Sequence, residues 1–302
     1  MCKLAAWTGQ TAKPLNKAAA DRAIRAARLE MQKSERDGFG FAQSGQNGLH
    51  ARFLQPEGFK NLDALQTLKR SAGRAFDAFA ISKRAEQTGS YKPTRSVIIH
   101  GRTATHGHGI PNTHPFRHDG WTMAHNGVIT WNGQPSELHK AATCDSQHIL
   151  YCLTENGTDE TRRKDLENIQ GYAAFLALAP NGDMIAAVDA TANLCAGITS
   201  KGRWIFGTTP ALVEAIADAW KCSKVDAFRL DSWAWLRFPA SGGEPTVGTW
   251  THAAAKYSEA KFSSRSLGRK WSHDAADTET EKAFARFPDF DGGHYTTGAW
   301  DK

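Results

Sequence analysis

Ser96-Val97-Ile98-Ile99-His100-Gly101-Arg102-Thr103-Ala104-Thr105-His106-Gly107 opens as a strand and closes as a loop. Three adjacent β-branched residues in so short a run predict a strand over Ser96–His100. A stretch rich in Gly, His and Pro follows as far as Gly120, and its turn residues predict irregular structure. An arginine where a strand opens into a loop is well placed to grip a carboxylate through two parallel hydrogen bonds. Thr103, Thr105 and the glycines shape that loop and line a small polar pocket, and His106 joins Arg102 and Thr103 as a substrate-binding candidate.

Strands and helices alternate on both sides of this stretch. Upstream, Cys2–Trp7 reads as a short buried strand ended by Thr8-Gly9, and Leu15–Glu35 repeats its apolar positions at helical spacing. Asp37-Gly38-Phe39-Gly40 turns into a strand, and Asn47-Gly48 is a hairpin signal before another strand at Leu49–Leu54. Helices are predicted at Asn61–Lys69 and Ala72–Glu86. Downstream, Trp121–Ala124 and Val128–Trp131 read as two strands flanking His125-Asn126-Gly127. Asp145 is placed to cap a helix over Ser146–Leu153. Tyr172–Ala179 and Met184–Ala190 form a hairpin, Arg203–Phe206 a strand, and Pro210–Trp220 a helix with proline at its opening. Interleaving of this kind predicts a layered α/β or α+β domain over residues 2–238. From Pro239 onward Ser, Gly, Thr, Lys, His and Asp dominate, so 239–302 reads as a polar C-terminal extension, a docking or partly disordered tail.

Composition excludes several classes. Across 302 residues, 40% hydrophobic and 23% charged content is that of an ordinary soluble protein. There is no apolar run near the roughly 20 residues that cross a bilayer, and the first residues lack a secretory core, so a cytoplasmic protein with no membrane association is expected. The net charge, 37 − 31 = +6, is spread along the chain, so nucleic-acid binding is not indicated. Most of the ten tryptophans sit in apolar or strand-like contexts, and core packing is expected for them ahead of nucleic-acid stacking. Five cysteines without a CxxC pair suggest neither a disulfide framework nor a thiolate zinc site.

Cys2 stands apart by position. Removal of Met1 would leave it carrying a free α-amine. That amine titrates near roughly 7.7–8.0 and a thiol near roughly 8.5, so one residue can supply both nucleophile and base. Asn126 beside Gly127 pairs a side-chain amide with a backbone N–H, the two donors an oxyanion hole needs. A plain type I′ turn at Asn126-Gly127 is the structural alternative. Asp145 can cap its helix and equally offer a carboxylate to an ammonium group.

Met1-Cys2, Asp37-Gly38-Phe39-Gly40, His100-Gly101-Arg102-Thr103-Ala104-Thr105-His106-Gly107, Asn112-Thr113-His114-Pro115-Phe116, Ala124-His125-Asn126-Gly127 and Asp145-Ser146 occur in an order that resembles the class II glutamine amidotransferases, a branch of the N-terminal-nucleophile hydrolases. The resemblance covers roughly residues 2–220. It is nearer the stand-alone amidotransferase-like hydrolases than the glucosamine-phosphate synthase branch. It implies an α+β fold, a four-layer α/β/β/α sandwich, with Cys2 as nucleophile and Asn126 and Gly127 as oxyanion hole. Arg102 would bind the substrate α-carboxylate and Asp145 its α-ammonium. Thr103 replaces an aromatic residue common in that family, and Gln147 replaces a glutamate; both departures bear on which amide fits.

The implied substrate is glutamine or a γ-glutamyl amide, cleaved through a Cys2 thioester with release of ammonia. No cofactor or metal is expected. Only about 80 residues follow the stretch that the resemblance covers, which ends near 220, and they contain no phosphate-binding glycine loop. A separate ammonia-accepting partner protein is therefore one expectation and plain hydrolysis the other. Two alternatives compete: a non-catalytic binding or structural module on the same fold, and a metal hydrolase using the crowd of His100, His106, His108, His114, His118 and His125. The second lacks a carboxylate set with familiar metal spacing.

Overall fold

Alternation along β1 (Lys3–Thr8) organises the molecule. Ala5 and Trp7 enter one apolar cluster, whereas Leu4 and Ala6 enter another, as the two faces of a strand require. A computed structural model describes residues 2–9, 17–34, 37–44, 50–54, 95–103, 112–222 and 225–251. The helices expected at Asn61–Lys69 and Ala72–Glu86, the Asn47-Gly48 turn and residues 252–302 lie outside the described residues.

β1 pairs antiparallel with β4 (Val97–Arg102) and β10 (Trp204–Gly207) at the centre of a seven-stranded sheet. That sheet is completed by β2 (Gly38–Gln43), β3 (His50–Leu54), β9 (Cys195–Ile198) and β11 (Phe228–Arg229) in the order β11-β9-β10-β1-β4-β2-β3. The remaining six strands form a second sheet. Its members are β5 (Phe116–His118), β6 (Trp121–Trp131), β7 (Ile169–Leu178), β8 (Met184–Val188), β12 (Ala234–Phe238) and β13 (Thr246–Thr249). All pairings are antiparallel.

Three apolar clusters hold these elements. In the first, α1 (Lys17–Gln32) and α5 (Pro210–Ala219) cover one face of the seven-stranded sheet. Ala20, Ala23, Ile24, Ala27 and Met31 recur at helical spacing on α1 and meet Leu212, Val213 and Ile216 of α5. Trp220, just after α5, donates its indole N–H to the Ala19 carbonyl at 3.2 Å and sets its ring edge-on to Trp7. The second cluster fills the gap between the sheets: Leu4, Ala6, Ile98, Trp204 and Phe206 meet Ala124, Leu176, Met184, Ala186, Leu236 and Phe238. In the third, α3 (Ser146–Glu155) lays Ile149, Leu150 and Leu153 on the far face of the six-stranded sheet. Two short helices flank α3: α2 (Glu137–Lys140) before it and α4 (Asp159–Leu166) after it. The tryptophans Trp7, Trp121, Trp204, Trp235 and Trp250 are buried, in line with core packing.

Three differences from the sequence reading are informative. Trp121–Trp131 is one continuous strand, so Asn126-Gly127 is no turn: both residues pair with β7, opposite Ala174 and Ala173. Phe116–His118, expected within an irregular stretch, pairs with β6 as an edge strand. The sheet also continues past residue 238, because β13 pairs with β12 and Trp250 is buried against Phe175.

Phe206 lies between Trp204 and Phe238 with no solvent exposure, so Phe206→Ala is expected to cost about 3–5 kcal/mol. Leu29→Ala, on the exposed side of α1, should change stability by no more than about 0.5 kcal/mol. Urea unfolding of the two variants checks both.

Candidate active site

The parity that places Leu4 and Ala6 in the inter-sheet gap puts Cys2 on the same side of its strand. Along β4, Ile98 is in that gap, so His100 and Arg102 share its face. Along β6, which packs against β1 and β4 from the other sheet, Ala124 is in the gap and Asn126 follows it. Cys2, His100, Arg102 and Asn126 therefore occupy the facing surfaces of two sheets, beyond one end of an apolar seam.

Local contacts fix these positions. Lys3 pairs with Gly101, which brings Cys2 level with the end of β4, and the Cys2 thiol donates to the Thr103 carbonyl at 3.4 Å. Arg102 is 5% exposed, and its carbonyl accepts the Asp37 N–H at 3.0 Å. The Asp37-Gly38 turn thus closes on the arginine, with Gly38 its partner in β2. Asn126 is 5% exposed, and its Oδ1 has no hydrogen-bond partner among the described residues. His106 lies outside the described residues.

Gly127 is dictated by its surroundings. Its φ is +155°, and a side chain there would overlap the Tyr172 carbonyl oxygen. Opposite it, Ala173 turns its hydrogen bonds away from β6: its N–H donates to Asp189 Oδ2, and its carbonyl accepts the Asp189 N–H at 2.9 Å. In an antiparallel ladder this marks Gly127–Ala173 as a non-hydrogen-bonded pair, so the Gly127 N–H points off the other edge of β6. β5 pairs there only with residues 121–123, so among the described residues no strand covers that edge at Gly127. Ile129, two residues on with the same parity, donates its N–H to Asp145 Oδ2 at 3.1 Å.

Asp145 is thereby an N-cap and a tether together. Its Oδ1 accepts the Ser146 N–H at 2.8 Å and the Ser146 hydroxyl at 3.2 Å, while Oδ2 holds β6. An ionised carboxylate offers about four acceptor positions, so one is left over. The Ser146 Oγ also bonds His125 Nδ1 at 2.9 Å, so the start of α3 grips β6 on both sides of Asn126-Gly127. Sequence reading missed this Asp145–Ser146–His125 link, because His125 and Ser146 are 21 residues apart with no motif between them.

Electrostatics divide the site. Burial pushes His100 down to about 3, and the charges of His125 and Arg102 act the same way against an upward pull from the His125 backbone. Burial lowers His125 too, against opposing pulls from Asp145 and Asp189. Both imidazoles are neutral at pH 7. His100 sets its ring edge-on to His114 at 4.2 Å, and His114 leans on Phe116 at 4.5 Å. Among the described histidines, His100 and His114 thus pack ring against ring. Burial raises the thiols of Cys144 and Cys195 to about 11 and those of Cys152 and Cys222 above their ordinary value, which disfavours all four as nucleophiles. Gln147 Oε1 accepts from Thr143 N, Thr143 Oγ1 and Cys144 N, so it clamps the turn leading into α3.

No protein-family model and no curated protein sequence matches the chain. Among solved structures it is similar to glutamine phosphoribosylpyrophosphate amidotransferase from B. subtilis in complex with ADP and GMP, with a TM-score of 0.50 and 15% identity over 82% of this chain and 49% of that one. It is also similar to a structure of the allosteric regulatory enzyme of purine biosynthesis, with a TM-score of 0.54 and 15% identity over 82% of this chain and 49% of that one. The chain spans about half the length of these proteins. At such identity the likeness is one of fold: an α+β arrangement of two antiparallel sheets with helices, as expected from the motifs.

The buried histidine sets a pH dependence. His100 binds its proton near about 3 when folded and near about 6.5 when unfolded, so in that interval the unfolded chain holds more protons. Stability therefore rises with pH across the window and is lost as pH falls from 6.5 towards 3. His100→Asn should make that slope shallower by up to about 1.4 kcal/mol per pH unit. Urea midpoints across the range test this, and an unchanged slope would refute it.

Proposed function

We propose that this protein is a glutamine amidotransferase-type amide hydrolase whose nucleophile is Cys2, made amino-terminal by removal of Met1. The observation that carries the reading is the shared inter-sheet face of Cys2, Arg102 and Asn126. It lies at the end of a two-sheet fold similar to that of glutamine phosphoribosylpyrophosphate amidotransferase. The order of the three apolar clusters supports a four-layer α/β/β/α sandwich, running from Cys2 to Trp250.

In the proposed reaction the α-amine of Cys2 takes the thiol proton and the thiolate attacks the side-chain amide carbon of glutamine or a γ-glutamyl amide. Asn126 Nδ2 and the Gly127 N–H would donate to the resulting oxyanion. The direction of the Gly127 N–H and the close burial of Asn126 both support that role. Collapse of the tetrahedral intermediate passes the proton to the leaving nitrogen, releasing ammonia and leaving a γ-glutamyl thioester on Cys2. Water, deprotonated by the same amine, then attacks the thioester to give glutamate and restore the thiol. Arg102 would hold the substrate carboxylate, with Thr103 and His106 beside it, and the remaining acceptor position of Asp145 would take the ammonium. The raised pKa of the other four thiols favours Cys2 as the reacting sulfur.

The turn-clamping role of Gln147 removes one reason to doubt glutamine, since its carbonyl is spent on the chain itself. The ammonia is proposed either to leave as product or to pass to a separate acceptor enzyme.

Cys2→Ala should abolish ammonia release from glutamine while leaving the unfolding curve unchanged. Full activity in that variant, or Met1 retained on active protein by intact-mass measurement, would overturn the mechanism. Asn126→Ala should lower kcat by about 10²–10³. Arg102→Ala should act chiefly by raising KM, and steady-state kinetics separate the two effects.

A further inference from the structure

Three helices around the far end of β6 bring together a second set of chemically able side chains that the proposed reaction does not use. His139 of α2, Cys152 of α3 and Asp165 of α4 each offer a donor atom, and these atoms all lie within 4.8 Å of one another. His139 is 5% exposed and Cys152 fully buried. The His139 Nε2 has no hydrogen-bond partner among the described residues and faces Glu155 Oε2 at 3.5 Å. Glu155, the last residue of α3, sits at the rim with its side chain 31% exposed.

We propose that His139, Cys152 and Asp165, with Glu155 as fourth donor, form a zinc site that ties α2, α3 and α4 together. One imidazole nitrogen, one thiolate and two carboxylates match the mixed N/S/O preference of zinc, whereas calcium and magnesium take oxygen shells. Four protein donors make a closed site, the structural kind, with no open position for a reacting water. Zinc bonds of about 2.0–2.3 Å require donor pairs closer than the present spread, and the rim carboxylates supply the adjustment.

The surroundings are those of a prepared ligand set. His139 Nδ1 is 2.8 Å from His148 Nδ1. With His139 as the donor in that bond, the lone pair resides on Nε2, the arrangement seen when a ligating histidine passes its other nitrogen to a neighbour. The ring stacks on Trp131 at 4.0 Å, with His148 beside it in nearly the same plane at 5.1 Å and stacked on the same indole. Asp165 is oriented by Asn156 Nδ2, which donates to its Oδ2 at 3.0 Å. On binding, the Cys152 thiol releases its proton to water, and the metal takes the place of that proton beside Asp165 and Glu155.

The readout is independent of amide hydrolysis. Chelator-stripped, reduced full-length protein is titrated with cobalt(II) alone and followed by absorption. One equivalent should produce a sulfur-to-cobalt charge-transfer band that zinc(II) then abolishes, and zinc should raise the melting temperature. Cys152→Ser should lose the band, Asp165→Asn should weaken cobalt binding, and His148→Asn should weaken it about 10–100-fold. Cys2→Ala should bind as the parent does, which excludes the reacting thiol as the source. Absence of the band in the parent protein, or its persistence in Cys152→Ser, overturns the proposal. If Cys152→Ser does not fold, unaltered cobalt affinity in a folded Asp165→Asn protein overturns it instead.

Discussion

Everything at the candidate site depends on the dry seam between the two sheets. Leu4, Ala6 and Ile98 on one side and Ala124, Leu176 and Met184 on the other leave water no place, and together they fix which face of β1, β4 and β6 looks inward. A one-residue slip in any of these strands would bury its opposite face. It would turn Cys2, Arg102 or Asn126 away from the others. The register that keeps apolar residues dry is therefore the register that assembles the polar ones. No separate device is needed to bring residues 2, 102 and 126 into one place.

Polar groups at the end of such a seam are costly, and that cost is itself informative. His100 has no solvent exposure and neither ring nitrogen meets a hydrogen-bond partner among the described residues. Asn126 buries an unsatisfied Oδ1. Each such group destabilises the fold by about 1–3 kcal/mol relative to a satisfied one. A purely structural core would place apolar residues there. A site that must hold polar groups ready for a substrate cannot, because those groups have to be desolvated before the substrate arrives. This weighs against the fold serving as a silent binding module.

How much of this was legible in the sequence varied with the kind of signal. β4 and α5 could be read directly, since Val97-Ile98-Ile99 and the Pro210 opening are local facts. The inward parity of Cys2, Arg102 and Asn126 followed from motif order only through family resemblance, because nothing local says which sheet face is buried. Asn126-Gly127 misled as a turn: the glycine is there for its φ and for the approach of Tyr172, a tertiary demand invisible along the chain. β5 was hidden because three residues are too few to show a period. β13 was hidden because Thr246–Thr249 is half exposed at a sheet edge and carries no apolar alternation. His139, Cys152 and Asp165 belong to three helices and lie 13 positions apart in turn, so no compact motif could have announced them.

The start of α3 is where these features become one mechanism. Asp145 holds the Ile129 N–H, and Ser146 holds His125, so the helix grips β6 two residues after Gly127 and one before Asn126. The two proposed oxyanion donors therefore lie in a span of strand clamped at both ends. They can be aimed without being filled, since the clamps use neighbouring groups and leave the Gly127 N–H directed off the edge away from β7. A donor held in this way loses little entropy when an oxyanion forms, and that is where preorganisation lowers a barrier. The same helix carries Cys152 and Glu155 at its other end, so whatever fixes α3 against α2 and α4 steadies the clamp. Helix position, rather than any residue touching the substrate, becomes the variable that sets the aim of both donors.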